Sequence, residues 1–439
     1  MRWSIKLRQR VLITMAVLMM GVVPVSAAPI AHREVLPNGI VLLVAERPTV
    51  PIVVARLWTA AGAVQDPPDR AGLANLTGTL LTRGTARRTG PELDAAIEFV
   101  GASLEAGAGR DGLTVSLSVL RKDLTLGLDL MAEVVLSPTF PEPEFRRNVA
   151  QIQAAIKRSE EDPETVANRA LGRLVYREHP YGIPVEGTTE SVARLTRDDV
   201  VGFYRSKVRP DTTVIAVVGA VTVAEARREI VARFGAWPVP PGSLPAVPMV
   251  APGAAPDVEV IKRDLTQATI LLGRQAVRQT DPDYFPLAVA SSILGGGSSS
   301  RLYGRVRDEG GLAYSVYSYV VPGRYGASFI VGAQTRTAEV TRVIDVLREE
   351  MTRMGRQPVS ERELALAKSY LIGSFPLRLE TSSKVADFIV AVEVQGLGLD
   401  YADRYRERVA QVTVTDVERV AARFFAPDTF NRVVVGTVP

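Results

Sequence analysis

The stretch LTRDDVVGFYRSKVRPDTTVIAVVGAV (195–221) returns near the end of the chain as VTVTDVERVAARFFAPDTFNRVVVGTV (412–438). The two align without gaps at an offset of 217 residues, and ten of their 27 positions are identical. In each copy a threonine three residues before an aspartate predicts a capped helix start, because the hydroxyl and the carboxylate bond the free N–H groups there. A proline then ends the helix, and a β-branched run predicts a buried strand. One unit repeated in the same register indicates an internal duplication.

The rest of each half follows one order of elements. Strand patterns such as GIVLLVAE (39–46) and QATILLGRQ (267–275) come first, a helix and further strands follow, and helices with a last strand close the half. Because strands and helices are grouped rather than alternating, the sequence predicts an α+β fold of two tandem homologous domains. Each domain is expected to hold a mostly antiparallel or mixed sheet with helices packed on one face.

A proline-rich segment separates the two halves. WPVPPGSLPAVPMVAPGAAP (237–256) has seven prolines in twenty residues, a composition typical of a semi-rigid extended spacer. The predicted domains are therefore residues 28–236 and 257–439.

The N-terminus has the layout of a secretory signal peptide. Four basic side chains lie in MRWSIKLRQR (1–10), an apolar run of fifteen residues follows, and VSAAP (25–29) offers small residues for cleavage. We predict a signal peptide over residues 1–27 with cleavage after Ala27, and hence a periplasmic or secreted protein with no membrane segment after cleavage. An uncleaved anchor helix is the alternative, although the run is short for a membrane span.

Charge and composition exclude several classes of function. Lys plus Arg number 52, and removing the four in the leader leaves 48 against 48 Asp plus Glu, so the mature chain is formally neutral. That balance gives no support to nucleic-acid binding. Cysteine is absent, which excludes disulfides and thiolate chemistry. Neither of the two histidines has a second histidine four residues on, so a histidine-based zinc helix is not expected. His179 lies in a Pro/Gly turn and His32 near the predicted mature N-terminus, so a serine triad with a histidine base is not expected either.

The most unusual local pattern is GGGSSSRLYGRVRDEGGLAYSVYSY (295–319). It lacks the lysine of a phosphate-binding P-loop, and Ser300 breaks a G-x-G-x-x-G pattern. The serines predict a helix cap, the second glycine pair predicts a left-handed turn, and the last residues alternate as a strand. In that strand Tyr314, Val316 and Ser318 are expected on one face.

The helix end and the strand start could aim two donors at one point. Arg307 has a permanent charge and Tyr314 a neutral phenol, a combination that suits the oxygen of a peptide carbonyl as it becomes tetrahedral. The other interpretation is structural, with the tyrosines packed on the sheet and Arg307 paired to Asp308, Glu309 or another acid.

A second stretch, GLANLTGTLLTRGT (72–85), resembles the active-site segment of the pitrilysin/insulinase-type zinc metallopeptidases, the inverzincins, whose helix carries H-x-x-E-H. In that alignment the two zinc-binding histidines fall on Asn75 and Thr79, and the glutamate that activates water falls on Gly78. The further carboxylate ligand falls on Ala154 or Ala155. The resemblance therefore implies the fold of the family and no metal bound by this chain.

The glycine-rich stretch resembles the C-terminal signature of the same family, in which an Arg and a Tyr spaced R-x6-Y reach the substrate. That spacing selects Arg307 and Tyr314 as the implied catalytic residues. The resulting hypothesis is a catalytically incomplete subunit of a heteromeric zinc metallopeptidase, active on peptides with a homologous partner that bears H-x-x-E-H and holds the zinc. The alternatives are a non-catalytic peptide-binding or scaffold protein and an autonomous hydrolase with an unrecognised site.

Overall fold

The structure is a computed structural model that describes residues 29–253 and 255–437. The predicted signal peptide lies outside these residues. No helix among the described residues is long and apolar enough to cross a membrane.

Two sheets repeat one strand order. In the N-terminal sheet the order is β1-β2-β6-β3-β5-β4, and in the C-terminal sheet it is β7-β11-β8-β10-β9, so the two coincide from β2 and β7 onward. β2 pairs parallel with β6 as β7 does with β11, and the other pairs are antiparallel. The predicted α+β fold with two homologous domains is thereby confirmed. The strands are β1 His32–Val35, β2 Val41–Glu46, β3 Ile52–Thr59, β4 Ser103–Ala108, β5 Leu113–Leu120, β6 Thr213–Gly219, β7 Val258–Ile261, β8 Gln267–Ala276, β9 Ala313–Val321, β10 Ala327–Arg336 and β11 Asn431–Val435.

The repeated units that revealed the duplication fold as the sequence predicts. Thr196 and Thr413 each cap a helix and share a reciprocal bond pattern with the aspartate three residues on. Gly219 and Gly436 end the equivalent strands with φ of 142° and 143°. A side chain is strained at that φ, which explains why both copies keep glycine.

Helices cover one face of each sheet and enclose the two main cores. They are α1 Leu73–Leu80, α2 Gly90–Phe99, α3 Leu124–Leu136, α4 Glu142–Ser159, α5 Pro163–Tyr176, α6 Thr189–Ala193, α7 Arg197–Lys207, α8 Val223–Phe234, α9 Tyr284–Gly295, α10 Val340–Arg356, α11 Glu361–Ser374, α12 Ser382–Val394, α13 Tyr401–Gln411 and α14 Val414–Phe424.

The second face of each sheet is covered by a helix from the other half. α12 packs on the N-terminal sheet through Val385, Ala386 and Ile389, and α5 packs on the C-terminal sheet through Ala167 and Leu171. This exchange explains the continuous apolar run of β6, whose seven residues are all buried, because a strand covered on both faces has no solvent side.

The proline-rich segment is bound to both domains. The ring Nε2 of His179 lies 2.9 Å from the carbonyl oxygen of Pro248, and the amide of Val250 donates to the carbonyl of Tyr325 at 2.9 Å. Beside it, the Tyr181 hydroxyl donates to Asp111 at 2.5 Å. The tips of the two edge hairpins, β4–β5 and β9–β10, are thus held together.

Candidate functional site

The glycine-rich stretch folds into a corner between α9 and β9. Ser300 opens the corner as predicted, since its hydroxyl donates to the carbonyl of Gly297 at 2.6 Å and accepts from the amide of Tyr303 at 3.4 Å. The predicted helix then widens into a π-helix over Tyr303–Glu309. Gly311 turns the chain with φ of 57°. π-Helical turns are rare and are often found at functional sites.

Tyr314 lies at a β-bulge. Ala313 pairs with Thr335 and Ser315 with Gln334, so Tyr314 is an extra residue without a partner on β10. Its side chain is 81% exposed, whereas Val316 and Ser318 are buried. The predicted shared face is therefore wrong for Tyr314, because the bulge breaks the alternation of the strand and redirects one side chain.

The structure brings Arg307 and Tyr314 together and adds a third residue. The Cζ atom of Arg307 lies 5.0 Å from the ring centre of Tyr314 and 4.9 Å from that of Tyr303. The guanidinium is thus held between two aromatic faces by cation–π contacts. Sequence reasoning missed Tyr303, although its i, i+4 spacing to Arg307 on a helix was a usable signal.

Arg307 differs from the other arginines of the corner in its charge environment. Arg301 pairs with Glu363 at 2.6 Å, and Arg305 lies 3.2 Å from the fully buried Glu350. Within the described ranges, no acid forms an ion pair with Arg307. The expected alternative, a pairing with Asp308 or Glu309, is not observed, and the charge remains available to a ligand.

The two ion pairs fix the corner to the helices behind it. The Arg301 guanidinium, together with the cap at Ser360, lowers the pKa of Glu363 to about 2. Glu350 also receives a bond from Arg353 at 2.6 Å. These contacts attach residues 301–305 to α10 and α11. Arg307 therefore extends from an anchored backbone rather than from a free loop.

The three residues that the resemblance aligns with H-x-x-E-H lie on α1. Asn75 and Thr79 are half-buried one turn apart, and the Thr79 hydroxyl donates to the carbonyl of Asn75 at 2.9 Å. Gly78 is buried against the edge strand, and a Cβ there would lie 2.8 Å from the amide nitrogen of Ala108. These positions hold no imidazole or carboxylate, and there is no room at Gly78 for a glutamate side chain.

These residues do not fit zinc. Zinc in proteins takes imidazole, thiolate or carboxylate ligands. Across residues 29–253 and 255–437, no three His, Cys, Asp or Glu side chains form a group that could hold a metal. Ala154 and Ala155 are exposed on α4, and the two histidines lie on other elements.

One acid beside this helix was not singled out from the sequence. The carboxylate of Asp66 accepts from the amides of Gly72 and Ala74 at 2.9 and 2.8 Å and so caps the start of α1. Burial raises the pKa of Asp66 to about 7, although those amide bonds act in the opposite direction. Its contacts are structural, since both oxygens are engaged by the helix.

Two family models and several curated proteins match most of the chain. Residues 41–189 match the family model described as insulinase, peptidase family M16, and residues 194–371 match the peptidase M16 inactive domain. The chain is 30% identical over 404 residues to an uncharacterized zinc protease of Mycobacterium tuberculosis, covering 90% of this chain and 91% of that protein. A similar protein of Streptomyces coelicolor is 29% identical over 399 residues, covering 89% and 86%.

Solved structures show the same architecture. A peptidase M16 inactive domain from Pseudomonas fluorescens superimposes with a TM-score of 0.88 at 26% identity, covering 93% of this chain and 98% of that one. A protease from Helicobacter pylori superimposes with a TM-score of 0.86 at 20% identity, covering 93% and 100%, a likeness of fold alone.

Proposed function

The chain belongs to the insulinase-like peptidase family M16, and from this premise we propose that it is the catalytically incomplete subunit of a heteromeric zinc metallopeptidase that hydrolyses peptides. In this proposal it binds the peptide and stabilises the scissile carbonyl with Arg307 and Tyr314. One observation carries it: Arg307 lies between two tyrosine rings and has no acidic partner among the described residues. An arginine kept for stability alone gains from a partner, as Arg301 and Arg305 do.

The two side chains supply complementary donors to a carbonyl oxygen. The guanidinium offers several N–H donors with a positive charge, and the tyrosine hydroxyl offers one O–H donor. As water adds to the carbonyl, its oxygen gains negative charge, and donors already fixed toward that oxygen lower the barrier. Tyr303 and the bulge at Tyr314 hold the donors before a peptide arrives, so little reorganisation is needed.

The remaining chemistry comes from a partner of similar build that carries H-x-x-E-H. Zinc bound there supplies a Lewis acid and a water of lowered pKa, and the glutamate supplies the general base. Asn75, Gly78 and Thr79 support this division, because they leave this chain without those groups. The periplasmic or secreted location belongs to the same proposal and stays a prediction from the leader.

A second candidate is a non-catalytic peptide-binding or scaffold protein. The tight packing of α1 against β4 at Gly78 favours this candidate, because it leaves no space there for the side chain of a catalytic residue. The two candidates differ in what they require of Arg307: a scaffold has no use for its unpaired charge, whereas catalysis depends on it.

The test is co-expression with a chain that bears H-x-x-E-H, encoded next to this one, followed by hydrolysis of an internally quenched peptide. We expect chelator-sensitive cleavage by the mixture and little by either chain alone. Arg307→Ala or Tyr314→Phe in the mixture should lower turnover about 10²-fold, the usual effect of removing one oxyanion donor. Arg342→Ala and Tyr319→Phe, both in the same domain, serve as matched controls.

Two results would contradict the proposal. Full activity of both site variants would remove the catalytic assignment and leave the scaffold candidate. Chelator-sensitive cleavage by this chain alone would exclude the division of labour between two subunits.

A further inference from the structure

A small pocket lies beside the corner that carries Arg307. It has a volume of about 280 Å³ and opens between the end of α9 and the outer face of α11. Glycines and serines of the glycine-rich stretch form one wall. Leu366 and Tyr370 of α11 form the other and are 48% and 59% exposed, and Ala367 lies between them.

By the internal duplication, this pocket lies at the place in the C-terminal domain that corresponds to Asn75, Gly78 and Thr79 of α1. At the offset of 217 residues, Gly78 of α1 corresponds to Gly295 of α9. Both glycines press against the backbone of an edge strand, and a Cβ on Gly295 would lie 2.5 Å from the amide nitrogen of Ser318. Asn75, one of the former zinc positions, corresponds by the same offset to Ser292, which lines the pocket.

The wall of the pocket opposite the glycine-rich stretch is α11, and the corresponding helix of the N-terminal domain is α4. The two helices expose side chains of different polarity. α5 follows α4 and α12 follows α11, and their N-cap residues, Asp162 and Thr381, are 219 residues apart. This offset aligns α4 with α11. At that offset Leu366 corresponds to Arg147 and Tyr370 to Gln151. Both α4 residues are exposed polar side chains. α4 thus has an ordinary solvated face, whereas α11 exposes two large apolar side chains beside a pocket. Such exposure is typical of a binding surface.

The pocket lies on the same segment as the proposed catalytic corner. Glu363 in its wall pairs with Arg301, and Ser299 in the opposite wall precedes Arg307 by eight residues. The segment is helical from residue 301, with a rise of about 1.5 Å per residue, and the two steps before it add at most about 3.8 Å each. Ser299 and Arg307 are therefore at most about 17 Å apart along the segment, which an extended peptide covers in about five residues.

We propose that this pocket receives an apolar side chain of the peptide whose carbonyl is bound by Arg307 and Tyr314, within about five residues of that carbonyl. The proposal rests on the proposed function and narrows the substrate class to peptides with a large apolar residue at that distance. A side chain of this kind fits because the glycines and Ala367 leave the space open, and Leu366 and Tyr370 supply apolar surface beside the serines.

Fluorescence anisotropy with the full chain alone tests the pocket without hydrolysis. The probes are two labelled ten-residue peptides of Gly, Ala and Ser that differ only in one central residue, Phe or Ser. We expect the Phe peptide to bind at least about tenfold more tightly, as burial of an aromatic side chain predicts. Leu366→Ser/Tyr370→Ser should remove that preference. Leu377→Ser, an equally exposed leucine outside the pocket, should retain it.

Three outcomes would overturn the inference. Equal binding of the two peptides by the wild type means that no such pocket acts. A preference that survives Leu366→Ser/Tyr370→Ser places the apolar site elsewhere. Dissociation of a dimer on the same substitution, seen by sedimentation, makes this face a contact between copies of the chain. Failure of the catalytic assignment is a separate result, since it appears as full turnover by the Arg307→Ala mixture.

Discussion

Replacing Gly78 by alanine tests whether α1 has closed onto the edge strand. The new Cβ would lie 2.8 Å from the amide nitrogen of Ala108 and the carbonyl carbon of Gly107, closer than such atoms approach in proteins. Both neighbours are backbone atoms of β4, which is paired along its length with β5, so neither can yield as a flexible side chain does. Overpacking of this kind costs about 1–3 kcal/mol, and the rigidity of the neighbours favours the upper end.

The helix itself works in the opposite direction. Alanine is better than glycine inside a helix by up to about 1 kcal/mol. We therefore expect Gly78→Ala to lower the free energy of unfolding by about 2 kcal/mol. Gly202 in α7 is the matched control, because it is exposed and a Cβ there meets nothing within 4 Å. Gly202→Ala should raise the free energy of unfolding by up to about 1 kcal/mol.

Urea unfolding followed by tryptophan fluorescence measures both variants. Of the three tryptophans, Trp58 lies on β3 and Trp237 packs on the N-terminal core, while Trp3 lies in the predicted leader. The signal of a chain expressed without residues 1–27 therefore reports on the domain that contains α1. A Gly78→Ala variant as stable as the wild type would refute the reasoning, because it would mean that a side chain fits between α1 and β4.

The same clash predicts that the family motif cannot be restored by substitution alone. Asn75→His/Gly78→Glu/Thr79→His recreates H-x-x-E-H, but the glutamate would have to enter the space that β4 occupies. We expect the triple variant to be destabilised and to bind no stoichiometric zinc by elemental analysis. Stoichiometric zinc in a folded triple variant would contradict this prediction.

Two further predictions concern buried polar contacts. Glu363 has a folded-state pKa of about 2, below its ordinary value of 4.5, so its ion pair stabilises the fold above about pH 4.5 and is lost as the pH falls toward 2. Glu363→Gln should flatten the acid limb of a stability–pH profile by about 1 kcal/mol after allowance for solvent screening, and Glu361→Gln should not. Tyr181→Phe leaves Asp111 without its buried hydroxyl donor and should lower the free energy of unfolding by about 1–3 kcal/mol. Tyr370→Phe is its control in the same urea titration, and equal losses in the two tyrosine variants would argue against the contact at Asp111.

Much of the fold follows from short-range sequence signals. The threonine caps, the prolines after α7 and α14 and the glycines after β6 and β11 all act within one turn or one strand end, so the sequence reports them directly. Their repetition at one offset predicted two homologous domains, and the coinciding strand orders confirm it. The exchange of α5 and α12 could not be predicted, because which sheet a helix covers depends on packing between residues far apart in the chain.

The candidate site likewise combines features that the sequence predicts with features that depend on the tertiary structure. The spacing of Arg307 and Tyr314 and the substitution of the zinc positions are properties of the sequence. The exposure of Tyr314 is not, since it depends on a bulge created by the register of β9 against β10. The contact of Tyr303 with Arg307 follows an i, i+4 spacing that the sequence contains, but the π-helix on which both residues lie was not predicted.

The sequence by itself determined that the chain is a duplicated α+β protein whose N-terminal half has no zinc-binding residue at the positions aligned with H-x-x-E-H and whose C-terminal half contains an R-x6-Y spacing. These are matters of residue identity and local register, and they need no long-range contacts. Only the tertiary structure decided that Arg307 is held between two tyrosines without an acidic partner among the described residues, that Gly78 has no room for a side chain, and that Leu366 and Tyr370 line a pocket beside the glycine-rich stretch. Each of these depends on how distant strands and helices approach one another, and so on packing geometry that the order of residues does not state.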